Sequence, residues 1–540
     1  PMLPRSIRLA LRRLRRHPVY ATLNGVGLAV GLSVFLLISL YVYHEHTYDT
    51  YHSHADRIVR AGMDLGGFGV APRLPAQMAA RLAEAYPEVE NMARLYKEDV
   101  TLRQENRRLL EEQFFYADPS VFDVFSLPFR YGSNAQALKD PDTVVLTEAT
   151  ARRLFGTVDV VGETLQRAEG PPLQVTGVLA PLPSNTHLAF DALISRATLP
   201  RTASADEHAQ AFGQQGYTYF LLAAPDAKAT LQAKLDSLAA QGTDAMQQVV
   251  GVAFTDMQFN LQALPDLHLA SDADYKDMTP PVDPRMLWML GALGVFILGI
   301  AITNYINLAT AQSTRRAMEI GVRKTMGAQR GDLVRLFLGE ALVLSLAAVV
   351  GAAALIEVMR PFYEELLGTS LAALSLRSLG MWGVYLSTAG IVAALAGSYP
   401  AWVLTRYEPA AVMRGTSSLA VGGRRLRQGL VVFQFAAVAV LVVLTLVIRE
   451  QVDYALQKPL GYDTEGIVEL LVADVPDSQI EAFQQEAERL AGVTLTARAL
   501  GMPTRYITMM ERGPDDAAPR PVKQIPADAH YVSTLGLSLV

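Results

Sequence analysis

Thr303-Asn-Tyr-Ile-Asn-Leu-Ala-Thr-Ala-Gln-Ser-Thr-Arg-Arg-Ala-Met-Glu-Ile-Gly-Val-Arg-Lys-Thr-Met-Gly-Ala-Gln-Arg-Gly-Asp-Leu-Val-Arg-Leu-Phe-Leu-Gly-Glu340 lies between two apolar runs and decides the fold. Arg315, Arg316, Arg323, Lys324, Arg330 and Arg335 crowd it. A cation at the centre of a spanning helix costs about 3 kcal/mol, so this stretch lies outside the bilayer and the runs beside it are spans. A short loop so rich in Lys and Arg belongs on the cytoplasmic side. Arg315 to Lys324 has helical spacing, with Met318, Ile320 and Val322 offering apolar contact and Glu319 one turn before Arg323. Gly327 is the predicted helix end.

Arg315-Arg-Ala-Met-Glu-Ile-Gly-Val-Arg-Lys-Thr-Met-Gly-Ala-Gln-Arg330 resembles the cytoplasmic coupling helix of FtsX-like permeases, the MacB/LolC/FtsX class of ABC transporter subunits. The resemblance implies a coupling helix over 314–328. It also implies that Arg316, Glu319, Ile320, Gly321, Arg323, Lys324, Gly327 and Ala328 sit in a cleft on an ATP-hydrolysing partner and pass its closure to the membrane helices. The residues alone are equally satisfied by an orientation signal on a solvated helical turn.

Composition agrees with a membrane protein carrying large water-facing parts: 51% hydrophobic and 19% charged residues average two different populations over 540 residues. The net charge of -6, with the cations concentrated beside the apolar runs, gives no support for nucleic-acid binding. There is no cysteine, so exported domains stand on their own cores without disulfides.

The expected fold class is an α-helical integral membrane protein with α+β periplasmic domain(s) and about five transmembrane helices. Residues 1–19 form a cytoplasmic amphipathic helix, because Arg5, Arg8, Arg12, Arg13, Arg15 and Arg16 accompany Ile7, Leu11 and Leu14 at helical spacing. Pro18 separates it from the first span, 20–43, which is long for a signal peptide and lacks a small-residue cleavage site. Gly27 and Gly31 form a small-xxx-small pair able to seat another helix.

After this span, His44-Glu-His-Thr-Tyr-Asp-Thr-Tyr-His-Ser-His-Ala-Asp-Arg-Ile58 holds four of the nine histidines. No spacing fixes four ligands on one point, so no metal is expected. Tyr48, Asp49, Tyr51, His52, Asp56, Arg57 and Ile58 resemble the start of the family's periplasmic domain. The resemblance continues through Tyr116-Ala-Asp-Pro-Ser-Val-Phe-Asp-Val-Phe125, Val144 to Gly156, Gly162 to Leu165, Thr176 to Leu179 and Leu264 to Leu269, and implies a MacB-like periplasmic core domain over 44–284. Leu74 to Ala85 reads as an amphipathic helix, Thr143 to Leu146 and Leu173 to Leu179 as strands, and Glu148 to Phe155 as a helix closed by Gly156. Ser184, His187 and Asp191 lie close in sequence, but nothing around them resembles a nucleophile elbow; a turn is expected and no catalytic residue.

The FtsX-like transmembrane domain is expected over 285–406, with spans at Met286 to Leu308, Leu333 to Val358 and Met381 to Leu404. Asn304 and Asn307 should cap or bond across helices, Glu340 should face protein or headgroups, and Pro400 and Pro409 should kink and stop the fourth span. A cytoplasmic linker (407–428), a fifth span (429–448) and a partial second periplasmic core domain (449–540) repeat the opening order. The chain therefore reads as a truncated part of a tandem-duplicated permease.

No Gly-x-x-x-x-Gly-Lys-Ser/Thr occurs in the sequence, so ATPase activity is expected in a partner chain; no cofactor is expected here, with ATP and Mg on that partner. The expected function is a non-enzymatic permease subunit in the bacterial inner membrane, exporting or extracting a hydrophobic or peptide-like substrate. The alternative is an FtsX-like signal relay controlling a periplasmic enzyme without transport. Expected partners are the cytoplasmic ABC ATPase, the membrane, a periplasmic adaptor and a second permease copy or half, with no nucleic acid.

Overall fold

The computed structural model describes residues 12, 15–16, 18–64, 70–97, 100–104, 107–111, 113–168, 170–199, 215–241, 258–269, 278–311, 322–367, 379–405, 419–463, 465–470, 472, 475–503, 507–511 and 520–537. The chain divides into two compact units, 1–46 with 284–457 and 47–283 with 458–540. The first contains five helices, among the described residues, that are long and apolar enough to cross a membrane. The second is α+β.

The spanning helices run Pro18–His46, Pro284–Ala311, Arg330–Leu367, Leu379–Thr405 and Leu419–Gln457. Each extends past its apolar core. The fifth begins ten residues before the expected 429: no proline stops it there, and the helix runs through Gly422 and Gly423 despite their weak helix propensity. Pro361 and Pro400 sit inside the third and fourth helices without ending them; Pro409 lies outside the described residues, as does most of 1–19.

Small residues set the packing of this unit. A Cβ on Gly31 would lie 2.5 Å from the Ala301 Cβ, and one on Gly27 would meet the Asn304 amide at 3.4 Å, so this glycine pair seats the second helix against the first. Gly351 approaches Ala29, and Gly397 approaches Ala341 and Leu338, drawing the third helix onto the first and fourth. The enclosed core holds Leu32, Leu36, Ala352, Tyr385, Ala389 and Val392. Glu340 is buried in protein, as its cost in lipid demands. Asn307 departs from expectation: it is buried, yet neither amide atom has a hydrogen-bond partner among the described residues.

The α+β unit is built on a mixed sheet. Its strands are β1 (Ile58–Asp64), β2 (Val70–Ala71), β3 (Leu74–Pro75), β4 (Val89–Lys97), the separate hairpin β5 (Val100–Gln104) and β6 (Arg107–Glu111), β7 (Phe114–Ala117), β8 (Phe129–Gly132), β9 (Thr143–Thr147), β10 (Thr164–Leu165), β11 (Leu173–Leu179), β12 (Ala192–Ser195), β13 (Gln215–Leu222) and β14 (Gln258–Ala263). The order is β10-β11-β9-β12-β7-β4-β13-β1-β14, with β2 on β1, β3 on β13 and β8 on β11. β11 with β9, and β12 with β7, pair in parallel. β1 is buried on both faces: Ile58 enters a core with Phe115, Phe125 and Leu193, while Val59, Ala61 and Met63 enter another with Leu82, Leu231 and Leu235. Val59, Ala61 and Met63 alternate with polar or small residues, of which Arg60 is itself buried and donates through Nη2 to the Gln262 Oε1 at 2.8 Å.

The helix expected from Leu74 starts only at Ala76. Leu74–Pro75 pair with β13, and Pro75, at φ -58 and ψ 138, lies outside helical geometry. The helix Glu148–Phe155 matches expectation residue for residue: the Thr147 hydroxyl accepts the Thr150 N–H at its start and Gly156, at φ +75, ends it. At the sheet margin, the Gln232 carboxamide donates to the Phe259 carbonyl and accepts from the Leu261 N–H, occupying backbone groups of β14 that would otherwise invite another strand.

Candidate functional site

Two places carry the candidate chemistry: the basic segment before the third spanning helix, and the first residues of the α+β unit. Of the residues expected in the first, Arg316, Glu319, Ile320 and Gly321 lie outside the described residues, and Arg323, Lys324, Gly327 and Ala328 are described.

From Val322 to Thr325 the chain is helical. The Gly327 N–H then donates to the Lys324 carbonyl at 3.0 Å and the Ala328 N–H to the Arg323 carbonyl at 3.0 Å, with Gly327 at φ +92. This pair of bonds is a Schellman termination, and its left-handed residue is what the sequence reserves for glycine. Two residues later Asp332 accepts the Gln329 N–H at 3.2 Å and caps the helix that begins at Arg330. Only a tight elbow separates the two helices. Beyond it, Leu333 and Phe337 bury themselves on Ala401 of the fourth helix, with Val334 alongside. Arg323 and Lys324 are half-buried, whereas Val322 is 52% and Met326 82% exposed. The result is a short, apolar and cationic surface fixed to the root of a buried spanning helix.

The second place is a buried polar knot. Asp49, wholly buried and at φ +57, receives the His187 Nδ1–H at 2.8 Å, the His187 N–H at 3.2 Å and the Thr186 hydroxyl at 2.7 Å. The His187 Nε2 and the Tyr219 hydroxyl share a hydrogen bond of 2.8 Å, and the Asn185 amide donates to the Thr47 carbonyl. His52 accepts the Ser126 N–H on Nδ1 at 3.0 Å, which leaves its Nε2–H for Asp49, 3.8 Å away. His187 and Asp191 therefore serve different partners, since Asp191 pairs with Arg153; no triad forms. The sequence held no signal for the Asp49–His187 pair, whose members stand 138 positions apart.

Burial alone would raise the Asp49 carboxyl, but His187 beside it, the hydrogen bonds from His187 and Thr186 and the more distant His52 imidazole outweigh that and hold it well below the usual carboxylate range. Burial pushes His52 down from 6.5, only partly offset by Asp49. Both depressed groups bind more protons unfolded than folded. His52 therefore contributes a loss of stability as pH falls below 6.5, and Asp49 a further loss below 3.8. His52→Asn, whose amide oxygen can still accept the Ser126 N–H, is expected to flatten the decline of the thermal midpoint on acidification from about pH 6.5, each unit of lost depression being worth about 1.4 kcal/mol. Unchanged pH dependence in this variant would show that His52 is not a titrating contributor.

Residues 21–238 match the MacB-like periplasmic core domain and 291–410 the FtsX-like permease C-terminal domain. Among curated relatives, the pyoverdine export ATP-binding/permease protein PvdT of Pseudomonas aeruginosa is 27% identical over 208 residues, 38% of this chain and 28% of the relative. Its counterpart in Pseudomonas savastanoi is 26% identical over 241 residues, 44% of this chain and 32% of the relative. The chain thus spans about a third of the length of these relatives or less. Among solved structures, the periplasmic region of MacB from Actinobacillus actinomycetemcomitans aligns at 13% identity and TM-score 0.27, covering 38% of this chain and 88% of that one.

Proposed function

From the premise that this chain belongs to the FtsX-like permeases of ABC transporters and carries a MacB-like periplasmic core domain, we propose that it converts nucleotide-driven closure of a separate ABC ATPase into a change of shape in the α+β unit. The elbow at Gly327 carries this reading. Its two backbone bonds and the Asp332 cap join the segment bearing Arg323 and Lys324 to the third helix through a left-handed turn, so that a push on the segment is delivered to a buried helix instead of being absorbed by a loose loop. The third helix packs on the first through Gly351 and Ala29, and the first continues directly into the Asp49 knot at Thr47.

The coupling surface is proposed to be completed by Arg316, Glu319, Ile320 and Gly321, with Ala328 at its rim. ATP and Mg are assigned to the ATPase, because the 540 residues hold no phosphate-cradling Gly-x-x-x-x-Gly-Lys-Ser/Thr. The cations beside the spans support a bacterial inner-membrane location with 44–284 outside the cytoplasm. A two-copy or pseudo-dimeric permease and a periplasmic adaptor complete the proposed assembly. Export or extraction of a hydrophobic or peptide-like substrate is favoured over a pure signal relay, since the relatives matched here are export proteins by name.

The test is copurification with the ATPase, followed by ATP-dependent substrate movement in reconstituted vesicles. ATP hydrolysis that reshapes the α+β unit without moving substrate would favour the relay, and absence of any bound ATPase would overturn both. Orientation is checked separately, because a chain without cysteine accepts single reporters cleanly. A cysteine at 142 should react with an impermeant maleimide once the outer barrier is opened, and one at 326, an exposed position beside the elbow, should not until the inner membrane is permeabilised; the reverse pattern would invert the topology.

A further inference from the structure

The α+β unit holds a cleft of about 540 Å³ that the coupling mechanism does not use. Phe122, Phe125, Phe129 and Tyr51 supply its rings, with Pro181 and Pro183 also on its wall. Among the described residues, no Asp, Glu, Lys, Arg or His lines it. Its polar groups are the Tyr51 and Ser126 hydroxyls and the Asn134 carboxamide. The Tyr51 hydroxyl donates to Thr186 at 3.2 Å and the Ser126 hydroxyl is paired with that of Ser53 at 2.9 Å. Asn134 donates through Nδ2 to Asp123, and no described donor reaches its Oδ1.

The walls are held in place from behind. Phe125 stands edge-on to Tyr219, ring centroids 4.9 Å apart at 77°, and Phe122 lies at 5.0 Å and 55° to Phe129. Ser126 is tied through its N–H to His52, and Tyr51 through Thr186 to Asp49. Rings so braced cannot collapse to fill the space, and a preformed apolar cleft of this volume is the size that encloses a small organic ligand.

We propose that this cleft is a binding site for an uncharged aromatic group carrying a hydroxyl or amide N–H, the rings and prolines packing on its flat faces and the Asn134 Oδ1 accepting its one proton. A charged ligand is disfavoured because, among the described residues, no carboxylate, ammonium, guanidinium or imidazole in the lining would compensate its desolvation. The site sits on the segment that leads out of the first spanning helix, since Tyr51 is five residues beyond His46. Its existence does not depend on whether the chain transports or relays.

Pro128→Cys, an exposed position on the cleft wall that leaves Asn134 in place, tests it in the otherwise cysteine-free full chain reconstituted in lipid nanodiscs, with N-phenylmaleimide as an uncharged aromatic probe. Glu163→Cys, an exposed position, is the control. Labelling at 128 should saturate with probe concentration and exceed the control by about tenfold at low concentration, as expected when binding precedes reaction. 2-Naphthol should slow it and naphthalene-2-sulfonate should not. Adding Pro183→Glu, which places a charge in the wall at an exposed position, should remove the saturation while the thermal midpoint is kept. A rate at 128 that rises linearly with probe and matches the control, or equal protection by the sulfonate, overturns the proposal.

Discussion

Gly31→Leu is expected to disrupt the membrane unit more than any other single change in its first helix. The Ala301 Cβ lies 2.5 Å from where a Cβ on residue 31 would be, and it is part of a short side chain that cannot swing aside. The two helices must separate, and the contacts at Gly27–Asn304 and at Gly294 with Phe35 and Ile38 separate with them. Overpacking of a close interface costs about 1–3 kcal/mol, and a leucine here lies at the upper end. Gly25→Leu is the control, because nothing lies within 4 Å of its Cβ position. Thermal inactivation in detergent should fall sharply for the first and stay near wild type for the second; equal midpoints would mean that this helix pair does not carry the unit.

The second large effect is expected from Arg323→Glu combined with Lys324→Glu. Both side chains stand half-buried one turn before the Gly327 elbow, so reversal inverts the charge that the segment offers to a partner. Breaking a partly buried interfacial charge pair costs about 2–5 kcal/mol, or roughly 30-fold or more in affinity. Copurification with the ATPase and ATP-coupled activity should be lost while the thermal midpoint of the chain is kept. If the basic segment were only an orientation signal, insertion would change and ATPase binding would not.

Much of this architecture was legible because its signals are local. Gly327 as a helix end, Gly27 and Gly31 as a helix seat, Gly156 as the close of its helix, and the apolar runs all follow from periodicity, small residues and charge within a few turns of the chain. The sheet order was not legible, because β1 pairs with β13 and β14 from across some 160 to 200 residues. The Asp49 knot and the aromatic cleft escaped for the same reason, since each is assembled from loops near residues 50, 125 and 185. Asn307 shows the reverse: a polar residue at a helix interface invites a cross-helix bond, but helix spacing alone does not supply a partner at the right height.

The claim that ATPase closure reaches the α+β unit through the coupling segment is tested most directly by spin labels on cysteines at 163 and 230, two exposed positions of that unit. Their distance distribution is measured in vesicles with the ATPase, before and after trapping with ATP and vanadate. The account predicts a shift on trapping in the wild-type chain and none in the Arg323→Glu, Lys324→Glu variant. An unchanged distribution in the wild type, or an undiminished shift in the variant, would contradict it.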